Sequence, residues 1–244
     1  MKTQNNKLLI TGGSAGIGLA VARLFLEHDN TVIIVGRRQE RLDLVCGQNP
    51  GLIGKACDVS KASERDELVR WVRKEHPDLN LLINNAGVQF NFSMLTDGVT
   101  GNDINTEIQT NLLAPIQLCR QLLPILLEQP ESAIVNVTSG LIFSPKQSAP
   151  VYCATKSALH SFSQTLRYQL EGTSVKVFEM IPPLVDTEMT EGRGSGKISP
   201  KQCATSLFRG LQRNRYEIPV GKVHLLMWLW RLFPRWAGGL LRNT

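Results

Sequence analysis

The chain has 244 residues, of which 42% are hydrophobic and 20% charged, with 27 Lys+Arg against 21 Asp+Glu for a formal net charge of +6. That supports one large core, and with no break in composition or low-complexity segment it argues against a two-domain or disordered chain. The basic residues are dispersed, without a helix-turn-helix or an aromatic and basic platform, so the charge does not point to nucleic acid.

Lys7–Thr11 is a short apolar run that reads as a buried strand, and it ends directly in Gly12-Gly13-Ser14-Ala15-Gly16-Ile17-Gly18. A helix follows, with Leu19, Ala20, Ala22, Leu24, Phe25 and Leu26 as its apolar side. His28-Asp29-Asn30 closes it before a second strand at 31–35. This is the start of a right-handed βαβ unit. Glycines at 12, 16 and 18 permit a tight turn, close approach of a pyrophosphate to backbone N–H groups, and tight packing of helix on strand. The helix amino terminus offers unpaired donors to the phosphates.

After the second strand, where a carboxylate would hold the ribose hydroxyls of NAD, stand Gly36, Arg37 and Arg38. Guanidinium groups there suit the 2′-phosphate of NADP, which Arg37 can grip bidentately, and Ser14 can add a hydroxyl. The reading is therefore NADP in preference to NAD. Further strands are expected at 52–56, 79–84, 133–138 and 175–181. Helices are expected at 62–74, at 102–127 with a break, at 150–171 and at 200–213. Such alternation predicts an α/β fold with parallel strand pairing.

Tyr152 and Lys156 lie four residues apart on the third of these helices, thirteen residues after Ser139 at the end of an apolar strand. On a helix, residues i and i+4 share a face, which keeps the ammonium on the tyrosine's side. A phenol with a pKa near ~10 is a poor acid or base at neutral pH unless its phenolate is stabilised. Two charges about 4 Å apart at an effective dielectric near 20 interact by ~4 kcal/mol before desolvation. That predicts a tyrosine pKa lowered by roughly one to three.

With Gly12 to Gly18, Asn84-Asn85-Ala86-Gly87, Asn111, Ser139 and Tyr152-Cys153-Ala154-Thr155-Lys156 in this order, the chain resembles the short-chain dehydrogenase/reductases over roughly residues 7–190. The resemblance implies a Rossmann fold over residues 1–244, a doubly wound parallel seven-stranded sheet in the order 3-2-1-4-5-6-7 with helices on both faces. It implies that Gly12, Ser14, Ala15, Gly16, Ile17 and Gly18 bind cofactor. Asp58 and Val59 would meet the adenine, and Asn85, Ala86 and Gly87 the adenosine ribose, while Asn84 ties neighbouring strands. Asn111, Ser139, Tyr152 and Lys156 would be the catalytic tetrad. In it Ser139 polarises the carbonyl, Tyr152 carries the proton, Lys156 holds the nicotinamide ribose, and Asn111 completes a proton relay. Pro182, Val185 and Thr187 would receive the carboxamide, although the family's usual glycine after Pro182 is here Pro183, which fixes φ and lacks a donor.

Cys46, Cys57, Cys119, Cys153 and Cys203 are odd in number and lack metal-ligand spacing. With an amino terminus lacking an apolar signal core, they read as free thiols in a reducing cytoplasm. No histidine has a partner at ligand spacing, so no metal is expected. Residues 188–199, rich in glycine, read as a flexible substrate loop. Phe90, Phe92, Met94, Leu141, Ile142 and Phe143 suggest an apolar substrate pocket.

The segment 222–244 holds three of the four tryptophans and no acidic residue, and is too short to span a bilayer. A homo-oligomer interface, a substrate cover and a weak contact with a membrane surface all stay open for it. The activity expected is NADP-dependent interconversion of a carbonyl and a secondary alcohol on a small or medium, largely apolar molecule, by a homo-oligomer. The alternative is a nucleotide-binding regulatory or assembly protein that keeps the fold without catalysis.

Overall fold

The computed structural model describes residues 1–95 and 99–243; Thr244, at the end of the carboxyl-terminal segment, lies outside them. Seven strands form one sheet: β1 (Lys7–Thr11), β2 (Thr31–Gly36), β3 (Leu52–Ala56), β4 (Leu81–Asn84), β5 (Ser132–Val137), β6 (Val175–Ile181) and β7 (Glu217–Pro219). All neighbours pair in parallel in the order 3-2-1-4-5-6-7. The fold is thus the doubly wound Rossmann type. Strand order reverses between β1 and β4, which opens a crevice at their carboxyl ends.

The strands are continuous apolar runs because both faces of the sheet are covered. One face carries α1 (Gly16–Leu26), α2 (Gln39–Gln48) and α7 (Pro200–Gln212), packed through Val21, Phe25, Leu42, Leu207 and Leu211. Phe25 and Phe208 meet edge-on at 5.2 Å, locking α1 to α7. The other face carries α3 (Ala62–Glu75), α5 (Ala114–Glu128) and α6 (Pro150–Gln169), through Leu68, Val72, Leu118, Leu122 and Leu166.

The expected break in the 102–127 segment is a π turn at Gln109–Leu113 between α4 (Gly101–Ile108) and α5, whose backbone bond runs from the Ala114 N–H to the Gln109 carbonyl. One extra residue bulges here without breaking the helical path. Three elements did not stand out from the sequence pattern. Helix α2 buries only Leu42 and Val45, too narrow an apolar stripe to read. Strand β7 has three residues and ends in Pro219. The carboxyl-terminal segment folds as α8 (Val223–Leu232) and α9 (Pro234–Ala237).

The glycine turn is where sequence and packing are most tightly coupled. A Cβ on Gly18 would run into the backbone carbonyl of Gly12, and would stand 2.6 Å from Asn85 Nδ2. A Cβ on Gly47, in α2, would meet nothing within 4 Å. Gly18→Ala should therefore lower stability by about 1–3 kcal/mol and weaken nucleotide binding, because backbone must shift. Gly47→Ala should raise stability by about 0.5 kcal/mol through the unfolded chain's entropy. Denaturant unfolding of both variants checks the pair; equal effects would contradict the packing assigned to Gly18.

Candidate active site

Strands β1, β2, β4, β5 and β6 all end at one edge, and a cavity of about 1060 Å³ lies along it. Its floor begins at the glycine turn, where Gly12 and Gly16 hold positive φ of 65° and 50°. Thr11 fastens this turn to β4: its Oγ1 accepts from the Asn85 and Ala86 N–H groups, each at 3.0 Å. Asn85 Nδ2 returns bonds to the Thr11 and Gly12 carbonyls at 3.0 and 3.1 Å. Gly12, Ser14, Ala15, Gly16 and Ile17 line the cavity. Gly18 does not, and its place is in the contact between helix and strand described above.

Helix α1 has no side-chain cap and no acidic residue in its first turn, so its amino terminus presents bare N–H donors. That suits a pyrophosphate. Arg37 and Arg38 are exposed on the cavity rim at the end of β2, with Ser14 close by. Asp58, Val59, Asn85, Ala86 and Gly87 line the adjoining wall. The donors and the space fit a dinucleotide.

Beyond it lie the reacting groups expected from the sequence. Ser139 follows β5, and its Oγ accepts from the Leu141 N–H at 3.2 Å. Tyr152 and Lys156 project from α6 into the same cavity. Lys156 Nζ is buried and donates to the Val137 carbonyl at 2.8 Å. Asn111 sits in the π turn, fully buried, where it grips Val88 twice: Nδ2 donates to the carbonyl at 2.8 Å and Oδ1 accepts the N–H at 2.9 Å. It lines a separate small void with Thr11 and Asn84 rather than the main cavity.

The electrostatics correct one expectation. The Tyr152 pKa is not lowered; burial among protein atoms pushes it up to about 12, against the helping bond from Ser139. Burial likewise holds Lys156 down to about 8, with Glu107 and Glu179 opposing. The ammonium lies over the tyrosine ring, 5.7 Å from its centroid, because the long side chain reaches past the ring to the strand carbonyl. Sharing a helix face brought the two groups together, but desolvation outweighs their attraction.

A polar lattice holds this end of the sheet. Asn84 Nδ2 donates to Asn136 Oδ1 across β4 and β5 at 2.9 Å, and Asn136 passes a bond to Ser163 of α6. This is the strand tie expected of Asn84. A buried pair that no sequence spacing revealed lies deeper. His160 Nδ1 meets Glu179 Oε2 at 2.8 Å, and Thr138 Oγ1 donates to Glu179 Oε1 at 2.6 Å. The hydrogen bond to Glu179 raises the imidazole pKa. The only signal was an acidic residue inside an apolar strand.

Pro182, Pro183, Val185 and Thr187 follow β6 along the cavity wall, and the Pro182 carbonyl accepts from the Gly140 N–H at 2.9 Å. The 188–199 loop is tied at its base, with the Asp186 N–H on the Ile198 carbonyl and the Ile198 N–H on the Leu184 carbonyl. Arg41 of α2 reaches across to Glu188 and also donates to the Ser14 carbonyl, a rim contact the sequence did not suggest.

The apolar end of the cavity differs from expectation. Phe90 and Leu141 line it, but Phe92 and Phe143 are packed in the interior, Met94 is exposed, and Ile142 packs beside Phe143. The carboxyl-terminal segment replaces them, contributing Val223, Leu226, Leu240 and Leu241. Turn geometry after β4 and β5 decides these orientations, and alternation of residue types does not encode it. Among the described residues no cluster of potential metal ligands exists.

Comparison with known proteins agrees with this architecture. The short chain dehydrogenase family model matches residues 6–197. The oxidoreductase DltE of Bacillus subtilis (strain 168) is 49% identical over 218 residues, covering 88% of this chain and 83% of the relative. A short chain dehydrogenase from Burkholderia cenocepacia J2315 in complex with NADP superposes with a TM-score of 0.89 at 22% identity over 100% of both chains. Another from Burkholderia phymatum in complex with NAD gives a TM-score of 0.84 at 22% identity, over 95% of this chain and 96% of that one. With its parallel sheet, glycine turn and Tyr152–Lys156 helix, the chain belongs to the short-chain dehydrogenase/reductase family of oxidoreductases.

Proposed function

We propose that the protein is an NADP-dependent oxidoreductase that interconverts a carbonyl and a secondary alcohol on a small to medium, largely apolar molecule. The observation that carries this is the convergence of Ser139, Tyr152 and Lys156 on one cavity whose other end is the glycine turn. When bound, NADPH supplies a hydride to the carbonyl carbon. Gly12 to Ile17 and the α1 amino terminus hold the pyrophosphate, and Arg37 and Arg38 the 2′-phosphate. Val185 and Thr187 take the carboxamide end.

The residues' own chemistry supports the reductive direction. A phenol with a pKa of about 12 stays protonated at neutral pH, so Tyr152 has its proton available for the carbonyl oxygen as negative charge develops there. Ser139 donates a hydrogen bond to the same oxygen, its hydroxyl oriented by the Leu141 N–H. Lys156 bears its charge at neutral pH and limits the cost of the phenolate left behind. Asn111 holds Val88 and the wall of the cleft in register through two hydrogen bonds.

Three outcomes test this reading. Tyr152→Phe should lower kcat for carbonyl reduction by at least about 10²-fold, with NADPH affinity nearly unchanged in a fluorescence titration; retained turnover would refute the assignment. Arg37→Ala should raise the KM for NADPH by about 10-fold or more, the worth of one charge-assisted contact, and leave the NADH parameters almost as they were. Steady-state kinetics with both cofactors decides it.

The pH dependence has a definite sign. Reduction needs Tyr152 protonated and Lys156 charged. The tyrosine condition holds throughout the neutral and mildly alkaline range, whereas the lysine condition fails above its pKa of about 8. kcat/KM for NADPH should therefore be level below that point and decline above it. A profile still level at the ordinary lysine pKa of 10.5 would contradict the role given to Lys156.

A further inference from the structure

The carboxyl-terminal helices are anchored on one side and conspicuously apolar on the other. Inward, Val223 joins Phe143 and Ile181 in a small core, and the Trp230 ring stands 5.6 Å from Phe143. The end of the segment is fastened as well: Ser144 Oγ donates to the Gly238 carbonyl and accepts from the Leu241 N–H, and the Gln147 N–H donates to the Arg242 carbonyl. Despite this docking, Leu225, Trp228, Leu232, Phe233 and Trp236 remain 57–65% exposed. Leu225, Trp228 and Leu232 fall at helical spacings that share one face of α8, and Phe233, between the helices, and Trp236, on α9, are exposed as well.

Charge identifies what covers this face. Residues 218–244 contain Lys222, Arg231, Arg235 and Arg242 and no Asp or Glu; Arg231 is paired with Glu217 at 3.8 Å, which leaves Lys222, Arg235 and Arg242 as the segment's remaining exposed cations. A two-fold dimer through this face would bring two copies of the same cationic, acid-free segment together, since such an interface pairs one patch with itself. An anionic lipid surface meets both features, because tryptophan rings settle at the headgroup level and each Lys or Arg near an anionic leaflet strengthens binding about five-fold. No helix among the described residues is long and apolar enough to cross a membrane, which leaves contact at the bilayer surface as the mode open to this segment.

We propose that α8 and α9 form a docking face for anionic lipid bilayers, seated beside the cavity mouth. The same segment supplies Val223, Leu226, Leu240 and Leu241 to the cavity wall, so an apolar molecule dissolved in the bilayer reaches the site without crossing open water.

The test is sedimentation of the full-length protein with phosphatidylglycerol vesicles and with phosphatidylcholine vesicles. Preferential binding to phosphatidylglycerol is expected, reversed by about 0.5 M salt, where screening shortens to a few ångströms. The Trp228→Ser/Trp236→Ser double variant should bind these vesicles roughly ten-fold more weakly or worse. Neither residue lines the cavity, so its NADPH affinity should match the parent and report an intact fold. Arg235→Glu gives an independent variant that should lose the preference for phosphatidylglycerol. Equal or absent binding to the two vesicle types would overturn the proposal. So would a stable dimer that shields Trp228 and Trp236 from acrylamide quenching without lipid. These readouts do not depend on any catalytic reading of the site.

Discussion

The site is organised around an ammonium taken out of water. Lys156 is buried, its Nζ is fixed on the Val137 carbonyl, and its charge is retained at neutral pH only by a modest margin. Stripping an ion of solvent is costly, and one carbonyl with the distant carboxylates of Glu107 and Glu179 offsets only part of that cost. The gain is electrostatic reach. A cation in a poorly screened place acts strongly on charge that develops beside it, where the same group at the surface would act weakly. Tyr152 shares the surroundings and so stays neutral at neutral pH.

Holding such groups in place requires a rigid edge. Parallel pairing brings five strand ends to one line, and side-chain amides then weld them together: Asn85 to the glycine turn, Asn84 to Asn136, Asn136 to Ser163, Asn111 to Val88. Asn85 and Asn111 bond backbone groups of the glycine turn and of Val88, whereas Asn84, Asn136 and Ser163 bond one another through their side chains, with Asn84 Oδ1 left buried and unpartnered. The Glu179–His160 pair with Thr138 does the same beneath Ser139. The cleft is built on strand ends and helix α6, and part of its wall comes from the segments after β6 and β7.

Much of this was readable from residue order. The alternation of apolar runs with amphipathic stretches specified parallel pairing, and the glycines at 12, 16 and 18 marked the crevice: the first two hold positive φ, and a side chain on the third would meet backbone. The family resemblance supplied strand order and the positions of Ser139, Tyr152 and Lys156. What residue order did not carry was the balance between desolvation and attraction, which inverted the expected direction for Tyr152 and depends on every atom around the pair. Nor could it aim side chains in loops. Phe92 and Phe143 turned inward, and residues from a helix some eighty positions along the chain took their place in the cavity. Helix α2 escaped notice because two buried residues, Leu42 and Val45, make no visible periodicity.

The most direct examination of the central claim is a heteronuclear NMR titration of the lysine ammonium groups in the cofactor-free protein, with the Lys156 resonance assigned by its loss in Lys156→Arg. The account predicts that this signal titrates near 8, well apart from the surface lysines. A Lys156 resonance titrating at the ordinary lysine value of 10.5 would show a solvated ammonium and contradict the account.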